Sequence, residues 1–214
     1  MTVIAITREI GTRGLDVANG LGKRLSLNVV NDELIERDIA TLSGVNTAAV
    51  HRYFDGTAPL LERWRTDERR LSKSTTEEVI QLAAMGNVVI RGWGASYLLQ
   101  NVSHVLCVRI CAPMQAREKI VIERGLEPDA ETARSMIDQR DAANDKVMKR
   151  MFGRDGRDAA GYSMILNSAR LGVEQCIEQI VLAAALRRFQ ATVESQRALL
   201  DWLTDLRVYE RHTA

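Results

Sequence analysis

The residues best suited to chemistry lie close to the N-terminus, in a short glycine-containing stretch. An apolar run at 3–6 is followed by TREIGTRG at 7–14, and apolar residues return at helical spacing from Leu15. A buried strand, a glycine-containing turn and a helix form the layout of a phosphate-binding loop. The helix N-terminus offers unbonded backbone N–H groups, and glycine lets the chain approach an anion. The alternative is an ordinary tight turn between a first strand and a first helix.

This loop departs from the best-known phosphate-binding pattern, G-x-x-x-x-G-K-[ST]. Gly14 is followed by Leu15 rather than by a lysine, and the first glycine of the pattern would fall on Arg8 or Glu9. The residues alone therefore leave both interpretations open.

The composition limits the kinds of protein that the chain can be. The 214 residues are enough for one domain with a sizeable core and an appendage. The formal charge of +1 gives no overall argument for a nucleic-acid or membrane partner. Cys107, Cys111 and Cys176 lack C-x-x-C spacing, which fits a reducing cytoplasm. Because the sequence shows no signal peptide, no long apolar run and no basic stripe with interleaved aromatics, we expect a cytoplasmic protein that binds neither a membrane nor nucleic acid.

The histidines do not suggest a metal centre. His51, His104 and His212 are scattered along the chain, without H-E-x-x-H or paired Cys/His spacing. We therefore predict no histidine metal site, and we expect His104, next to a predicted strand, to be structural.

The elements that position the loop alternate regularly. Short apolar runs at 3–6, 27–30, 88–90, 105–110 and 162–166 are separated by helical patterns. This alternation predicts a five-stranded parallel sheet with helices on both faces. Ligands of such sheets bind at the carboxyl ends of the strands. The rule gathers residues 8–16, 31–33, 91–94, 112–117 and 167–168 at one rim.

Three further helices are predicted from their ends. Residues 74–77, STTE, read as a capping box that starts a helix ending near Gly86. Pro128 starts a long polar helix that continues toward Met151, and the tail from 192 to 209 is helical in pattern.

Laid out in this order, the chain resembles the cytidylate kinase-like family, a branch of the P-loop nucleoside monophosphate kinases, over about residues 3–185. The family opens with S-R-E-x-G-S-G-G, which is TREIGTRG here, and continues after its second strand with Y-D-x-E-L-I, which is NDELI at 31–35. Its third strand runs into G-R-G-A, here GWGA at 92–95, and its last strand ends in N-[ST]-x-x-L-G-x-E, here NSARLGVE at 167–174.

The resemblance implies an α/β, three-layer P-loop NTPase-like fold. It implies a kinase-like domain at 1–185 with a five-stranded parallel sheet, a helical lid at about 126–160, and a C-terminal helical extension at 186–214.

The resemblance also implies how the donor, ATP, would be held. Backbone N–H groups of Gly11, Thr12, Arg13 and Gly14 would cradle its phosphates. The lysine of true cytidylate kinases is replaced, and Arg13 is the nearest substitute cation, with Arg8 second. Asp16 in the first helical turn would hold Mg²⁺. The alternative for Asp16 is a favourable contact with the helix dipole.

The acceptor residues follow from the other motifs. Trp93 stands where the family has an arginine that meets the acceptor nucleotide; an indole would either stack on a base or only fill a pocket. Arg91 lies two residues earlier on the same side of the strand. Asp32 would help to bind the acceptor, and Asp141 and Asn167 occupy further family positions.

The lid would complete the site. Arg117, Arg140 and Lys146 would close on the transferring phosphoryl group, as the lids of monophosphate kinases do. The alternative is a charged helix that is merely solvated.

Three functions remain open at this point. The first is phosphoryl transfer from ATP with Mg²⁺ to a nucleoside monophosphate such as CMP. The second is a catalytically inactive sensor of a nucleotide or phosphate ligand. The third is a dimeric interaction module, since the apolar side chains at 199–206 exceed what a free helix needs and suggest a homodimer.

Overall fold

A computed structural model describes residues 1–30, 32–54, 68–153 and 156–213. The side chains of Arg8 and of residues 32–34, 53–54, 68 and 209–213 lie outside this description. Among the predicted site residues, Arg8 and Asp32 therefore have a described backbone only.

The core of the fold is a five-stranded sheet in the order β2-β3-β1-β4-β5, in which every pair of neighbouring strands is parallel. The strands are β1 (Val3–Arg8), β2 (Asn28–Val30), β3 (Val88–Arg91), β4 (Val105–Cys111) and β5 (Met164–Asn167). The predicted parallel sheet is confirmed. Since β1 is central, its carboxyl end opens directly into the glycine-containing stretch.

Helices connect and cover these strands. They are α1 (Gly14–Leu25), α2 (Asp32–Ser43), α3 (Thr47–Phe54), α4 (Glu68–Met85), α5 (Ala95–Leu99), α6 (Met114–Glu123), α7 (Ala130–Phe152), α8 (Ser168–Leu171), α9 (Val173–Ala184) and α10 (Val193–Thr213). In addition, 3₁₀ turns occupy Ala159–Gly161 and Arg187–Phe189.

Alternating side chains of the strands build a separate core on each face. Ile4 and Ile6 of β1 pack in one cluster with apolar residues of α1 and α9. Val3 and Ala5 pack in the other, with residues of α2, α4, α5, α7 and α10. Because successive side chains of a strand point to opposite faces, a continuous apolar run such as 3–6 serves both layers at once.

The capping-box prediction at 74–77 is wrong. These residues lie inside α4, which begins at Glu68. The Thr75 hydroxyl donates to the carbonyl of Leu71 at 2.8 Å, so it bonds back to the preceding turn instead of capping a new helix. Leu71 is fully buried and continues the apolar face N-terminal to the supposed cap.

The C-terminal helix α10 packs on its own domain. Leu199 and Leu203 are buried in the same cluster as Val79 of α4. Arg207 donates from Nε to Glu77 Oε1 of α4 at 2.7 Å. Part of the apolar surface that suggested a homodimer is thus covered within the chain, and the homodimer stays a prediction. Among the described helices, none combines the length and apolar character needed to cross a membrane.

Candidate functional site

The stretch between β1 and α1 curls so that its N–H groups remain available. Gly11 has φ +77°, and Arg13, at the N-cap of α1, also has a left-handed backbone with φ +55°. Within the described residues, the N–H groups of 11–14 donate no hydrogen bond. Two other hydrogen bonds hold the loop in place. The Thr12 hydroxyl donates to the Glu9 carbonyl, and the Ser168 hydroxyl donates to the Thr12 carbonyl. This is the donor geometry of an anion-binding loop.

Gly11 also allows a close approach between the loop and α6. A Cβ at this position would lie 2.6 Å from the carbonyl oxygen of Arg117. A side chain is therefore excluded by space as well as by the positive φ.

Beneath the loop lies a partly buried network of ion pairs, the inner network, formed by Glu9, Arg109, Arg117 and Asp141. Glu9 lies 2.5 Å from an Arg109 nitrogen and 3.7 Å from Arg117. Arg117 lies 2.5 Å from Asp141 and donates from Nε to the Ile10 carbonyl at 2.6 Å. The planar guanidinium of Arg117 thus ties the loop to α7.

Asp141 is held in a desolvated position. Burial raises the pKa of its carboxyl above the ordinary value, while the hydrogen bond from Arg117 opposes that shift. Removal of Arg117 would leave this carboxyl without its main stabilising partner.

The end of β3 turns sharply into the site. Gly92, Trp93 and Gly94 all have positive φ, of 86°, 57° and 68°. The turn is anchored by the Gly92 N–H, which donates to the Ile6 carbonyl at 2.9 Å. A left-handed tryptophan is strained, and such strain clusters at ligand sites.

A cleft opens beside this turn, at the carboxyl ends of β1 and β3. It encloses about 830 Å³, including space open to solvent. Its lining comes from both strand ends and from four helices: Thr7, Ile10, Glu36, His51, Arg91, Gly92, Trp93, Gly94, Tyr97, Arg140, Asp141, Asn144 and Met148. The position agrees with the rule that ligands of parallel sheets bind at the carboxyl edge.

One side of the cleft carries an imidazole–carboxylate pair. His51 Nδ1 lies 2.7 Å from Glu36 Oε1, which joins α3 to α2. The Glu36 side chain is 9% exposed and the His51 side chain is 53% exposed. The carboxylate is thus buried and the imidazole lies toward solvent.

A smaller chamber lies beside the cleft, next to the segment after α7. Arg109 donates to the Gly156 carbonyl at 2.5 Å, and the Tyr162 hydroxyl donates to the same carbonyl at 2.9 Å. Burial and the hydrogen bond with Tyr162 raise the pKa of Tyr97, so its phenol stays protonated. Asp141 lines both chambers, so the two spaces are neighbours.

On the other side of the glycine loop lie two exposed ion pairs, the outer pairs. Arg13 lies 3.1 Å from Glu123, and Asp16 lies 2.7 Å from Arg124. All four side chains are between 37% and 46% exposed. The predicted lysine substitute and the predicted Mg²⁺ ligand therefore both contact the C-terminal end of α6.

The structure brings some predicted site residues together and separates others. Arg91, Trp93, Arg140 and Asp141 line one cleft, and Arg117 contacts it through Asp141. Lys146, in contrast, is exposed and does not line either chamber.

Asn167 has a local role in the structure. Its side-chain oxygen accepts from the N–H groups of Ala169 and Arg170, which caps α8. This contact accounts for the asparagine without a ligand, and its predicted substrate contact stays a prediction.

Sequence reasoning placed Glu9 at the rim, within 8–16, without giving it a role, and it missed Arg109, Glu36 and His51 as parts of the site. A signal existed for Arg109, which is a charge inside the apolar run of β4. No comparable signal existed for Glu36 and His51, because their contact depends on how α2 packs on α3.

Within the described part of the chain, no group of three or more His, Cys, Asp or Glu side chains is arranged to hold a metal ion. Mg²⁺ bound with nucleotides commonly uses one or two carboxylates, substrate phosphates and water. Asp16 supplies a carboxylate of that kind, in the first turn of α1. Its chemistry fits the ion, although Arg124 contacts it in this structure.

Comparisons with known proteins agree with this geometry. Residues 3–170 match the model of the cytidylate kinase-like family. The cytidylate kinase of Pyrobaculum arsenaticum is 20% identical over 177 residues, covering 83% of this chain and 89% of that protein. The cytidylate kinase of Pyrococcus horikoshii is 25% identical over 173 residues, covering 80% and 82%.

A solved structure shows the same fold. The crystal structure of an uncharacterized protein from Eubacterium ventriosum superposes with a TM-score of 0.68 at 18% identity, covering 87% of this chain and all of that one. Together with the strand order and the family match, this confirms the expected P-loop NTPase-like fold. The chain belongs to the cytidylate kinase-like family.

Proposed function

We propose that this protein transfers the γ-phosphoryl group of ATP, with Mg²⁺, to a nucleoside monophosphate such as CMP. The observation that carries the proposal is the loop at 11–14, whose N–H groups donate to no other described residue, directly beside a cleft at the carboxyl ends of β1 and β3. Family membership and the names of the relatives support the same reaction class.

The donor would bind at the loop. The N–H groups of Gly11, Thr12 and Gly14 would bond its phosphate oxygens, and the positive end of the α1 dipole would favour them. Arg13 would leave Glu123 and contact the phosphates as the substitute cation. Arg8 would be a second cation. Mg²⁺ bound by Asp16 and the phosphates would neutralise charge in the transition state.

The acceptor would occupy the cleft. Arg140 lines it, is partly buried, and forms no ion pair with another described side chain, so its charge is available to an incoming phosphate. Arg91, Trp93 and Asp141 line the same space. Asp32, at the start of α2, and Asn167, at the end of β5, would complete the set.

Helix α7 would act as the lid. It carries Arg140 and Asp141, and Asp141 is bonded to Arg117 under the loop. A small displacement of α7 would therefore change the loop and the acceptor wall together. Lys146 would reach the phosphates only through such a movement.

The charge pattern also favours a second function, an inactive nucleotide sensor. Arg109, Arg117 and Arg157 each pair with a carboxylate in the described structure. Cations held in this way stabilise a developing phosphoryl charge less than unpaired ones do. A sensor would bind one nucleotide and transfer nothing.

Calorimetric titration followed by a turnover assay separates these functions. The protein is titrated with ATP and Mg²⁺, then with CMP and other monophosphates, and productive pairs are assayed for diphosphate. Binding of both ligands with turnover supports the kinase. Binding of one nucleotide alone supports the sensor.

Arg13→Ala tests the donor assignment. We expect it to lower kcat by about two to three decades, since one lost contact to transition-state charge costs about 3–4 kcal/mol. Arg24→Ala is the matched control, because Arg24 is an exposed, ion-paired arginine at the far end of the same helix. Unchanged turnover in Arg13→Ala would remove Arg13 from the mechanism.

A further inference from the structure

Arg109 of the inner network contacts more of the molecule than the glycine loop. It lies in β4 between Val108 and Ile110, which are both fully buried, and its own side chain is 13% exposed. Its Nη2 donates to Glu9 Oε1 at 2.5 Å, and its Nη1 donates to the Gly156 carbonyl at 2.5 Å. One guanidinium therefore joins the stretch between β1 and α1 to the segment that follows α7.

Side chains on several elements hold the segment that receives this bond. The Tyr162 hydroxyl donates to the same Gly156 carbonyl at 2.9 Å. The guanidinium carbon of Arg109 lies 6.0 Å from the centre of the Tyr162 ring, at the outer limit of a cation–π contact. A Cβ at position 156 would collide with the Tyr97 hydroxyl, so glycine permits this close approach. The position of the Gly156 carbonyl is therefore set by the side chains around it.

The same segment is bonded to α7. Its next residue, Arg157, lies 3.2 Å from Asp145 of α7. A second connection between the loop and α7 runs through Arg117, which bonds the Ile10 carbonyl and Asp141. Positions 141 and 145 are four residues apart, so they lie on one face of the helix, about 6 Å apart along its axis. Two points of attachment fix the direction of a helix, whereas one point leaves it free to tilt.

The part of α7 beyond Asp141 forms one wall of the cleft. Asn144 and Met148 line the cleft, as Arg140 and Asp141 do one turn earlier. A tilt of this part about Asp141 would move the wall relative to the loop at 11–14. Transfer between two bound nucleotides is sensitive to such a movement, because a misplacement of about 1 Å can cost about a hundredfold in rate.

We propose that Arg109 is a positioning residue for phosphoryl transfer: by bonding Glu9 and the Gly156 carbonyl at once, it fixes the direction of α7 relative to the glycine loop. The inference rests on the proposed function, because it places the donor at the loop and the acceptor in the cleft. Arg109 contacts neither nucleotide in this role. Its planar guanidinium presents two nitrogens to two acceptors, which the single ammonium group of a lysine does not reproduce.

Two substitutions of Arg109 separate positioning from stability. Arg109→Met removes both bonds, so we expect a lower urea midpoint and a lower kcat. Arg109→Lys keeps a charge beside Glu9 but loses the bridge to Gly156. We expect its urea midpoint to return most of the way to that of the wild-type protein. Its kcat should stay about tenfold to a hundredfold lower, while KM for ATP changes by less than about threefold.

The lysine variant decides the question even if Arg109→Met does not fold. An arginine needed only for stability would recover kcat together with the urea midpoint when lysine replaces it. Full kcat in Arg109→Lys would therefore overturn the inference.

Arg207→Lys is the matched control. Arg207 also donates to two acceptors on another element, Glu77 at 2.7 Å and Gln81, both on α4. It lies on α10 and lines neither chamber. The kcat of this variant should remain that of the wild-type protein. An equal loss of kcat in both lysine variants would overturn the specific role of Arg109.

Hydrogen exchange gives a second readout, which does not need turnover. ATP bound at the loop should slow amide exchange at the C-terminal end of α7, residues 146–152, because Glu9, Arg109 and Gly156 connect the two. Arg109→Lys should bind ATP with similar affinity and lose this protection, whereas Arg207→Lys should keep it. ATP binding that leaves exchange at 146–152 unchanged in the wild-type protein would overturn the inference.

The two proposals fail separately. Protection by ATP that requires Arg109, without transfer to any monophosphate, would overturn the kinase and support the inference. Transfer with an unchanged kcat in Arg109→Lys would support the kinase and overturn the inference. Absence of ATP binding at about 1 mM would overturn both.

Discussion

Two sets of arginine–carboxylate pairs flank the glycine loop, and they differ mainly in their exposure. In the inner network the side chains of Arg109 and Arg117 are 13% and 7% exposed. In the outer pairs the side chains of Arg13 and Arg124 are 46% and 40% exposed. The chemistry of the pairs is the same on both sides, so the difference in hydration decides what each set does.

Buried ion pairs are weakly stabilising as a whole, yet they are costly to break because the remaining charge has no water. Exposed ion pairs contribute little to the stability of the fold, and their members readily exchange partners with other ions. The inner network therefore fixes the shape of the loop and of α7. In the outer pairs, Arg13 can exchange its present partner for an incoming phosphate, and Asp16 can exchange its partner for Mg²⁺.

The largest effect is expected from Arg117→Ala, which opens the inner network. It leaves Glu9 and Asp141 facing each other without their shared cation and removes the bond to the Ile10 carbonyl. We expect the free energy of unfolding to fall by about 3–5 kcal/mol. Urea denaturation measures this change.

Arg24→Ala is the control, since it removes an exposed arginine whose partner Glu174 is also exposed. Its effect should stay within about 0.5 kcal/mol. Equal losses in the two variants would mean that burial does not distinguish the two kinds of ion pair.

A smaller loss is expected where the loop meets α6. Gly11→Ala combines a φ of +77° with a Cβ 2.6 Å from the Arg117 carbonyl oxygen. Gly125→Ala has a similar φ of +65°, but its Cβ would contact no atom of the described residues within 4 Å. We expect about 1 kcal/mol of destabilisation for Gly125→Ala and about 2–3 kcal/mol for Gly11→Ala.

Thermal and urea unfolding of both glycine variants measure the difference. Gly11→Ala should also weaken ATP binding, because the loop must shift away from Arg117. Identical stability in the two variants would show that α6 adapts easily and that the inner network does not hold the loop rigidly.

The sequence predicted those parts of the site that depend on local order along the chain. The strand-end rule placed Arg91 and Trp93 near the glycine loop, and the motif at 7–14 located the loop itself. The capping box at 74–77 failed, because Leu71 upstream belongs to the same apolar face.

Contacts between distant elements were outside the reach of such reasoning. The pairing of Arg13 with Glu123 spans 110 residues, and that of His51 with Glu36 depends on how two helices pack. Either partner alone reads as an ordinary surface charge. Only the packing shows which charges are buried and which are exchangeable.

The opposite end of the sheet contains a buried ionisable group that differs from both sets of ion pairs. His104, just before β4, is fully buried, and neither of its ring nitrogens has a hydrogen-bond partner among the residues that the structure describes. Burial lowers its pKa from the ordinary 6.5, with a further contribution from the positive N-terminus. The imidazole is therefore neutral in the folded protein.

The sign of the pH effect follows from this shift. Below about pH 6.5 the unfolded chain binds a proton that the folded protein does not. The free energy of unfolding therefore decreases as the pH is lowered. The free energy of unfolding changes by at most about 1.4 kcal/mol per pH unit, and this dependence disappears below the lowered pKa of the folded protein. Urea denaturation at pH 7 and pH 5 measures it, and His104→Leu should flatten the difference. The same slope in both proteins would assign it to other groups.

The smallest change in stability, and the most informative one for function, is expected from Glu123→Gln. Arg13 and Glu123 are 46% and 43% exposed, so the variant should unfold within about 0.5 kcal/mol of the wild-type protein. If Arg13 must leave Glu123 to reach the donor, removing the carboxylate charge lowers the cost of that movement. ATP should then bind up to about fivefold more tightly at low salt, and the gain should shrink at high salt.

Glu174→Gln, which releases Arg24 in the same way, should leave ATP affinity unchanged. Weaker ATP binding in Glu123→Gln would mean that the carboxylate holds Arg13 in its binding position instead of competing for it. The outer pairs would then be fixed parts of the site, like the inner network, and exposure alone would not separate the two sets.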